Sequence, residues 1–211
     1  MTWLQLLARV ANEPVFHTGF LLVGEVNRAN LCRQLSRWVN DGRLVQLRRG
    51  WYVLAEPFRK LQPHPFLLAN RLKKASYVSL QSALAEHGLI PEHVPVVTSV
   101  TTGRPEELRT PLGTFLYSHV QPSWFHSYTR RELRGGQSAF VATPEKALLD
   151  LVYLTPGADA LDYLRELRLQ NLDRLSPHTL RQLAARSGRA KLRRAVERIL
   201  QLREAEGAES L

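Results

Sequence analysis

The chain has 211 residues, a formal net charge of +10 and 44% hydrophobic residues, enough apolar content for one large core or two small ones. Its one cysteine, Cys32, excludes an internal disulfide, and no uncharged run approaches the roughly 18 residues of a membrane span. No cationic segment leads into a long apolar run at the start, so the expectation is a cytoplasmic protein that attracts polyanions.

Residues 2–11 place Trp3, Leu6, Leu7 and Val10 at helical spacing, and residues 16–23 follow as a shorter element in which Thr18 is a candidate cap. Residues 27–54, NRANLCRQLSRWVNDGRLVQLRRGWYVL, are the most informative stretch. Asn27 caps a helix that buries Leu31, Leu35, Trp38 and Val39 and leaves Asn30, Arg33, Gln34 and Arg37 on the opposite stripe, with Arg28 at its start. Gly42 ends the helix where positive φ is wanted. Two short apolar runs, residues 44–47 and 51–54, flank Arg48, Arg49 and Gly50 as a basic-tipped β-hairpin. A helix with long donors beside a cationic hairpin is how a winged helix-turn-helix presents itself to double-stranded DNA. Arg33, Gln34 and Arg37 then face base edges, Arg28 and Asn30 the groove entrance, and Arg48 and Arg49 phosphate or the minor groove.

The proline-rich residues 56–65 suit a linker, dividing a DNA-binding domain at 1–58 from a second domain at 66–211. Residues 66–74 and 79–87 read as helices, 95–101 and 113–120 as strands joined by a polar connection at 104–111, and 125–129 and 138–142 as weaker strands. Thr143, Pro144 and Glu145 open a helix with a capping hydroxyl, a first-turn proline and an acid at the positive dipole end. Residues 158–206 are helical with breaks near 175–177 and 187–188. The fold class is therefore α+β: an N-terminal winged helix-turn-helix, then a mixed α/β domain with a helical C-terminal tail.

Charge follows the same division. Residues 1–60 carry nine Lys/Arg against four Asp/Glu, residues 61–157 nine against seven, and residues 158–211 eleven against eight, so the first segment is the most cationic per residue.

Catalytic patterns are missing from the spacing. His87 and His93 lie six apart across a glycine and a proline, with no HExxH or paired cysteines, and neither GxSxG nor a phosphate-binding glycine loop is present. No catalytic residue, cofactor or metal is expected. Lys146 and Asp150, at i and i+4, read as a surface ion pair worth a few tenths of a kcal/mol. Arg130, Arg131 and Arg134 lie in a basic stretch, 128–136, that reads as an exposed turn.

In residues 77–92 (YVSLQSALAEHGLIPE), 97–102 (VTSVTT), 113–119 (GTFLYSH) and 142–154 (ATPEKALLDLVYL), taken in order and separation, the chain resembles the AbiEi family of antitoxins and transcriptional regulators. The LRRGWYVL hairpin and the helices before it are similar to that family's winged-helix domain, so the resemblance covers about residues 1–160. It implies a repressor of its own operon that binds inverted repeats, and a C-terminal domain that counters a nucleotidyltransferase-like toxin without a stable complex, the type IV arrangement. Arg130, Arg131, Arg134, Lys146 and Asp150 are then candidates for the antitoxin or interaction surface. The alternative is a solitary winged-helix regulator whose C-terminal region is a protein- or RNA-interaction module.

Overall fold

The computed structural model describes residues 1–22, 27–92 and 94–209, which form a mixed α+β fold with two sheets. Helix α1 (Trp3–Val10) starts at a reciprocal cap: the Thr2 hydroxyl accepts from the Gln5 amide and Gln5 Oε1 accepts from the Thr2 amide. Strand β1 (Phe16–His17) and helix α2 (Thr18–Leu21) follow. Thr18 is not the cap expected from sequence. His17 Nδ1 accepts from the Gly19 amide at 3.0 Å, while the Thr18 hydroxyl and amide both donate to the Gly50 carbonyl, at 3.1 and 2.8 Å. Val23, where that element was expected to end, lies outside the described residues.

Helix α3 (Arg28–Asn40) forms as its periodicity dictates, with Asn27 Oδ1 accepting from the Asn30 amide at 3.1 Å and Gly42 turning the chain at φ 69°. Strands β2 (Leu44–Arg48) and β3 (Trp51–Leu54) form an antiparallel hairpin, and β1 completes a three-stranded sheet in the order β1-β3-β2. Leu6, Leu21, Leu31, Leu35, Trp38 and Leu54 pack into a first core, and the Trp3 ring meets Trp38 and Phe58 edge-on.

Helix α4 (Pro65–Leu72) leads to β4 (Ser76–Val78), α5 (Leu80–Glu86), β5 (Val96–Thr101), β6 (Glu106–Thr110), β7 (Gly113–His119), β8 (Tyr128–Leu133) and β9 (Gln137–Ala142). The strands assemble as β6-β7-β5-β4-β9-β8, with β5/β7 and β4/β9 parallel and the other neighbours antiparallel. Several segments depart from expectation: Ser76–Val78 is a strand where none was expected, and of the weaker strand expected at 125–129 only 128–129 is strand, at the start of β8. The polar connection at 104–111 contains β6, and the basic turn at 128–136 contains β8. Both are edge strands, which take their backbone hydrogen bonds from one neighbour and need few apolar side chains, so hydropathy does not reveal them. Helix α4 also ends at Leu72, two residues short of the expected end, because Lys73 is extended.

Helices α6 (Pro144–Leu154), α7 (Leu161–Glu166), α8 (Pro177–Ser187) and α9 (Ala190–Glu209) follow: α6 packs against α5 and β9, α8 and α9 pack on α6, and α7 packs on α9. The breaks at Ser176-Pro177 and Gly188 fall where expected, and the left-handed Asn171 adds one between α7 and α8. Val15, Leu47 and Val53 from the N-terminal part join the larger core of the six-stranded sheet, so the hairpin has one face in each cluster. Among the described residues no helix is long and apolar enough to cross a membrane.

Gly50 sits at φ 85° in the hairpin turn, and a Cβ there would lie 2.9 Å from His17 Nε2. Gly50→Ala is therefore expected to destabilise the fold by about 1–2 kcal/mol, read as a lower urea midpoint, whereas Gly42→Ala meets no neighbour and costs only the left-handed strain.

Candidate functional site

The exposed side of α3 carries Arg28, Asn30, Cys32, Arg33, Ser36 and Arg37, while Gln34 is half-buried. Asn30 Oδ1 accepts from Arg33 Nη2, so the guanidinium is oriented by its own helix. Two grooves flank the helix. One, of about 900 Å³, runs toward α1 and is lined by Gln5, Arg9, Asn30, Arg33 and Gln34. The other, of about 910 Å³, runs toward the hairpin between Arg28, Cys32 and Ser36 on α3 and Gln46 and Arg49 on the sheet. Of the expected donors, Asn30, Arg33 and Gln34 line the groove toward α1, Arg28 lines the groove toward the hairpin, and the exposed Arg37 lines neither. Gln5, Arg9, Ser36 and Gln46 were missed because each lies at an ordinary polar position whose importance depends on a neighbouring element.

Arg48 and Arg49 do different things. Arg49 is exposed at the turn. Arg48 lies in β2 and turns toward the larger sheet, where Nη1 donates to the Leu72 carbonyl at 2.7 Å and Nη2 lies 3.3 Å from Glu106 Oε1. Lys73 Nζ donates to the other Glu106 oxygen at 2.7 Å. That hydrogen bond first, with the charges of Arg48 and Lys73, holds the Glu106 carboxyl below its ordinary pKa despite partial burial.

The C-terminal region has a second polar constellation. Lys146 and Asp150, expected as a surface pair, are fully buried, because eight of the eleven residues of α6 are covered, by α5, α8, α9 and β9. They are therefore no part of an interaction surface. Lys146 Nζ donates to Asp150 Oδ1 at 2.5 Å and to the Trp124 carbonyl at 2.8 Å, and sits 3.7 Å from the Trp124 ring centroid. Asp150 also accepts from Trp124 Nε1 (2.7 Å), Ser79 Oγ (2.7 Å) and the Tyr77 hydroxyl (3.0 Å). Burial pulls Lys146 down to about 8 against the opposing pull of Asp150. Burial likewise pushes Asp150 up, while Lys146 and the neutral donors push it back down. Tyr77 is held protonated well above its usual range, mainly by burial and by the neighbouring Asp150 charge.

Strand geometry also divides the basic stretch. Adjacent residues of a strand point to opposite faces, so Arg130 bonds Ser138 Oγ while Arg131 lies 3.6 Å from Glu86 on the other side, and Arg134 is exposed in the following turn. Among the described residues no three His, Cys, Asp or Glu side chains gather as metal ligands. His87 is bonded to the Ala142 carbonyl, and His93 lies outside the described residues. No protein-family model matches the chain, and no curated protein matches it.

Lys146→Met leaves Asp150 charged and unpaired in the core, and the expected cost is about 3–5 kcal/mol by urea unfolding. The double variant Lys146→Met/Asp150→Leu stays less stable than wild type by at least about 1 kcal/mol, because Trp124, Ser79 and Tyr77 lose their acceptor.

Acid acts at another point of the same region. Burial, with the positive charges of Lys146 and Arg186, lowers the His126 pKa to about 4, below the 6.5 of a free histidine. The unfolded chain therefore takes up the proton first, and stability is expected to fall as pH drops from about 6.5 through about 4. His126→Gln flattens that part of the unfolding midpoint profile.

Proposed function

We propose that the N-terminal region is a winged helix-turn-helix that binds double-stranded DNA in a sequence-specific way, with α3 as the recognition helix and the β2–β3 hairpin as the wing. The observation that carries this reading is the exposed donor face of α3, with Asn30, Arg33 and Arg37 on one flank and Arg28 on the other, where it lines a groove with Arg49 of the hairpin turn. An α-helix with this width of donor face fits the major groove, and Arg49 at the turn is placed for phosphate. Arg48 stands apart from the DNA-contacting set, since its guanidinium is engaged by Leu72 and Glu106.

The regulatory role, repression of its own operon at inverted repeats, rests on the resemblance of the N-terminal helices and hairpin to the winged-helix domain of the AbiEi family, and the antitoxin role, countering a nucleotidyltransferase-like toxin without a stable complex, on the resemblance of residues 77–154 to that family. Growth arrest caused by the adjacent gene product and relieved by this chain is the outcome the antitoxin reading requires. Relief retained by an Arg33→Ala/Arg37→Ala variant separates that role from repression.

DNA binding is tested by polarisation titrations on the upstream fragment and on a scrambled duplex over a range of salt. Arg37→Ala is expected to lose about 1–3 kcal/mol of discrimination between the two duplexes. Arg49→Ala weakens both alike and lowers the salt slope by about 0.9. Arg48→Ala shifts the urea midpoint and leaves the slope unchanged. Undiminished discrimination by Arg37→Ala, with an unchanged slope for Arg49→Ala, removes the interface from this face.

A further inference from the structure

A separate groove, about 410 Å³ in volume, lies between α4 and the β8–β9 ribbon. Helix α4 contributes Asn70 and Arg71, and the ribbon contributes Tyr128, Arg130 and Phe140. Phe140 is 48% exposed, although a large apolar ring in a sheet is ordinarily covered. Its edge-to-face contact with Tyr128, at 5.7 Å between centroids, holds the ring at the groove mouth. Arg71 is exposed and pairs with no described residue. Arg130 is steadied by Ser138 Oγ at 2.9 Å and has only the exposed Glu132, at 3.5 Å, as a counter-charge. Asn70 Oδ1 accepts from the Phe140 amide at 2.6 Å, which fixes the side-chain amide, yet its shielded Nδ2 has no acceptor.

An open aromatic ring and two exposed guanidiniums around one small groove make a complementary set for a flat heterocycle that carries an anion. We infer that this groove binds a nucleotide unit, either free or within a single strand of nucleic acid. The base stacks on Phe140, and the phosphate lies between Arg71 and Arg130. Stacking of this kind tolerates any base, because every base has a π-face. An intact duplex keeps its bases stacked on each other, so the site discriminates against the ligand proposed for α3. The two sites stand on different residues, and either can fail without the other.

The full chain is titrated by polarisation with labelled single-stranded RNA and DNA oligomers of about ten nucleotides, and by calorimetry with uridine and adenosine monophosphates. The expected result is single-strand binding that weakens about 5- to 100-fold in Phe140→Ala and in Phe140→Leu, which keeps apolar cover but lacks the ring. Arg71→Ala weakens binding and reduces its salt dependence. Arg33→Ala and Arg49→Ala leave single-strand binding unchanged. Monophosphate binding lost in Phe140→Leu assigns the site to free nucleotides, and binding of oligomers alone assigns it to a strand. The inference is overturned if wild type binds neither probe, or if Phe140→Leu and Arg71→Ala bind as tightly as wild type. Loss of single-strand binding in the α3 variants alone also overturns it, since the polyanion then sits on the other face. These replacements are at exposed positions, and a thermal midpoint for each confirms an intact fold before its affinity is compared.

Discussion

The carboxylate of Asp150 is the point on which the C-terminal body depends. It receives hydrogen bonds from α6 itself through Lys146, from β4 through Tyr77, from the start of α5 through Ser79, and from the turn after β7 through Trp124. A charge removed from water demands donors at fixed positions, and an acceptor this well supplied admits only one packing of the four segments. The aromatic groups extend the constraint outward. Trp124 stacks on Tyr153 with rings 7° from parallel, and Tyr77 stacks on Tyr128, so the same hub sets where β8 lies against the sheet.

The second constraint is electrostatic and joins the hairpin to that body. Glu106 takes Arg48 on one oxygen and Lys73 on the other, and Arg48 also caps the carbonyl at the end of α4. Glu106 belongs to an edge strand, whose one open side leaves room for the hairpin to approach. With Leu47 and Val53 packed into the larger core, the hairpin is held by apolar contact on one side and by charge on the other. The α3 face and the Arg49 turn are thereby presented from a backbone whose orientation is set from outside the three-stranded sheet. The Arg49 side chain at the hairpin turn stays exposed, whereas one position earlier the Arg48 side chain reaches the protein's own carboxylate.

Much of the local structure was legible in the sequence, because local rules govern it. Asn27, the period of Leu31, Leu35 and Trp38, and Gly42 specify α3 within 16 residues, and Thr143 with Pro144 specifies the start of α6. The breaks at Ser176-Pro177 and Gly188 are of the same kind. The edge strand β6 and the greater part of β8 were not legible, since their partners, rather than their composition, make them strands. Lys146 and Asp150 were misplaced for a related reason. Their spacing fixes that they meet on one helix face, but only the layers on either side of α6 decide whether that face sees water.

By itself, then, the sequence determined α3 and the start of α6 with their caps, the β2–β3 hairpin, the cationic N-terminal segment and the donor types available on α3, all of which follow from residues within a turn or two of one another. The tertiary structure decided which of these donors remain unspent. Arg48 is consumed by Glu106, 58 residues away, Lys146 is consumed in the core, Arg130 and Arg131 are divided between two faces, and Arg71 and Phe140 are left open beside each other. Charge and hydrogen-bonding capacity are properties of a residue type, whereas their availability depends on what long-range packing places within 3 to 4 Å.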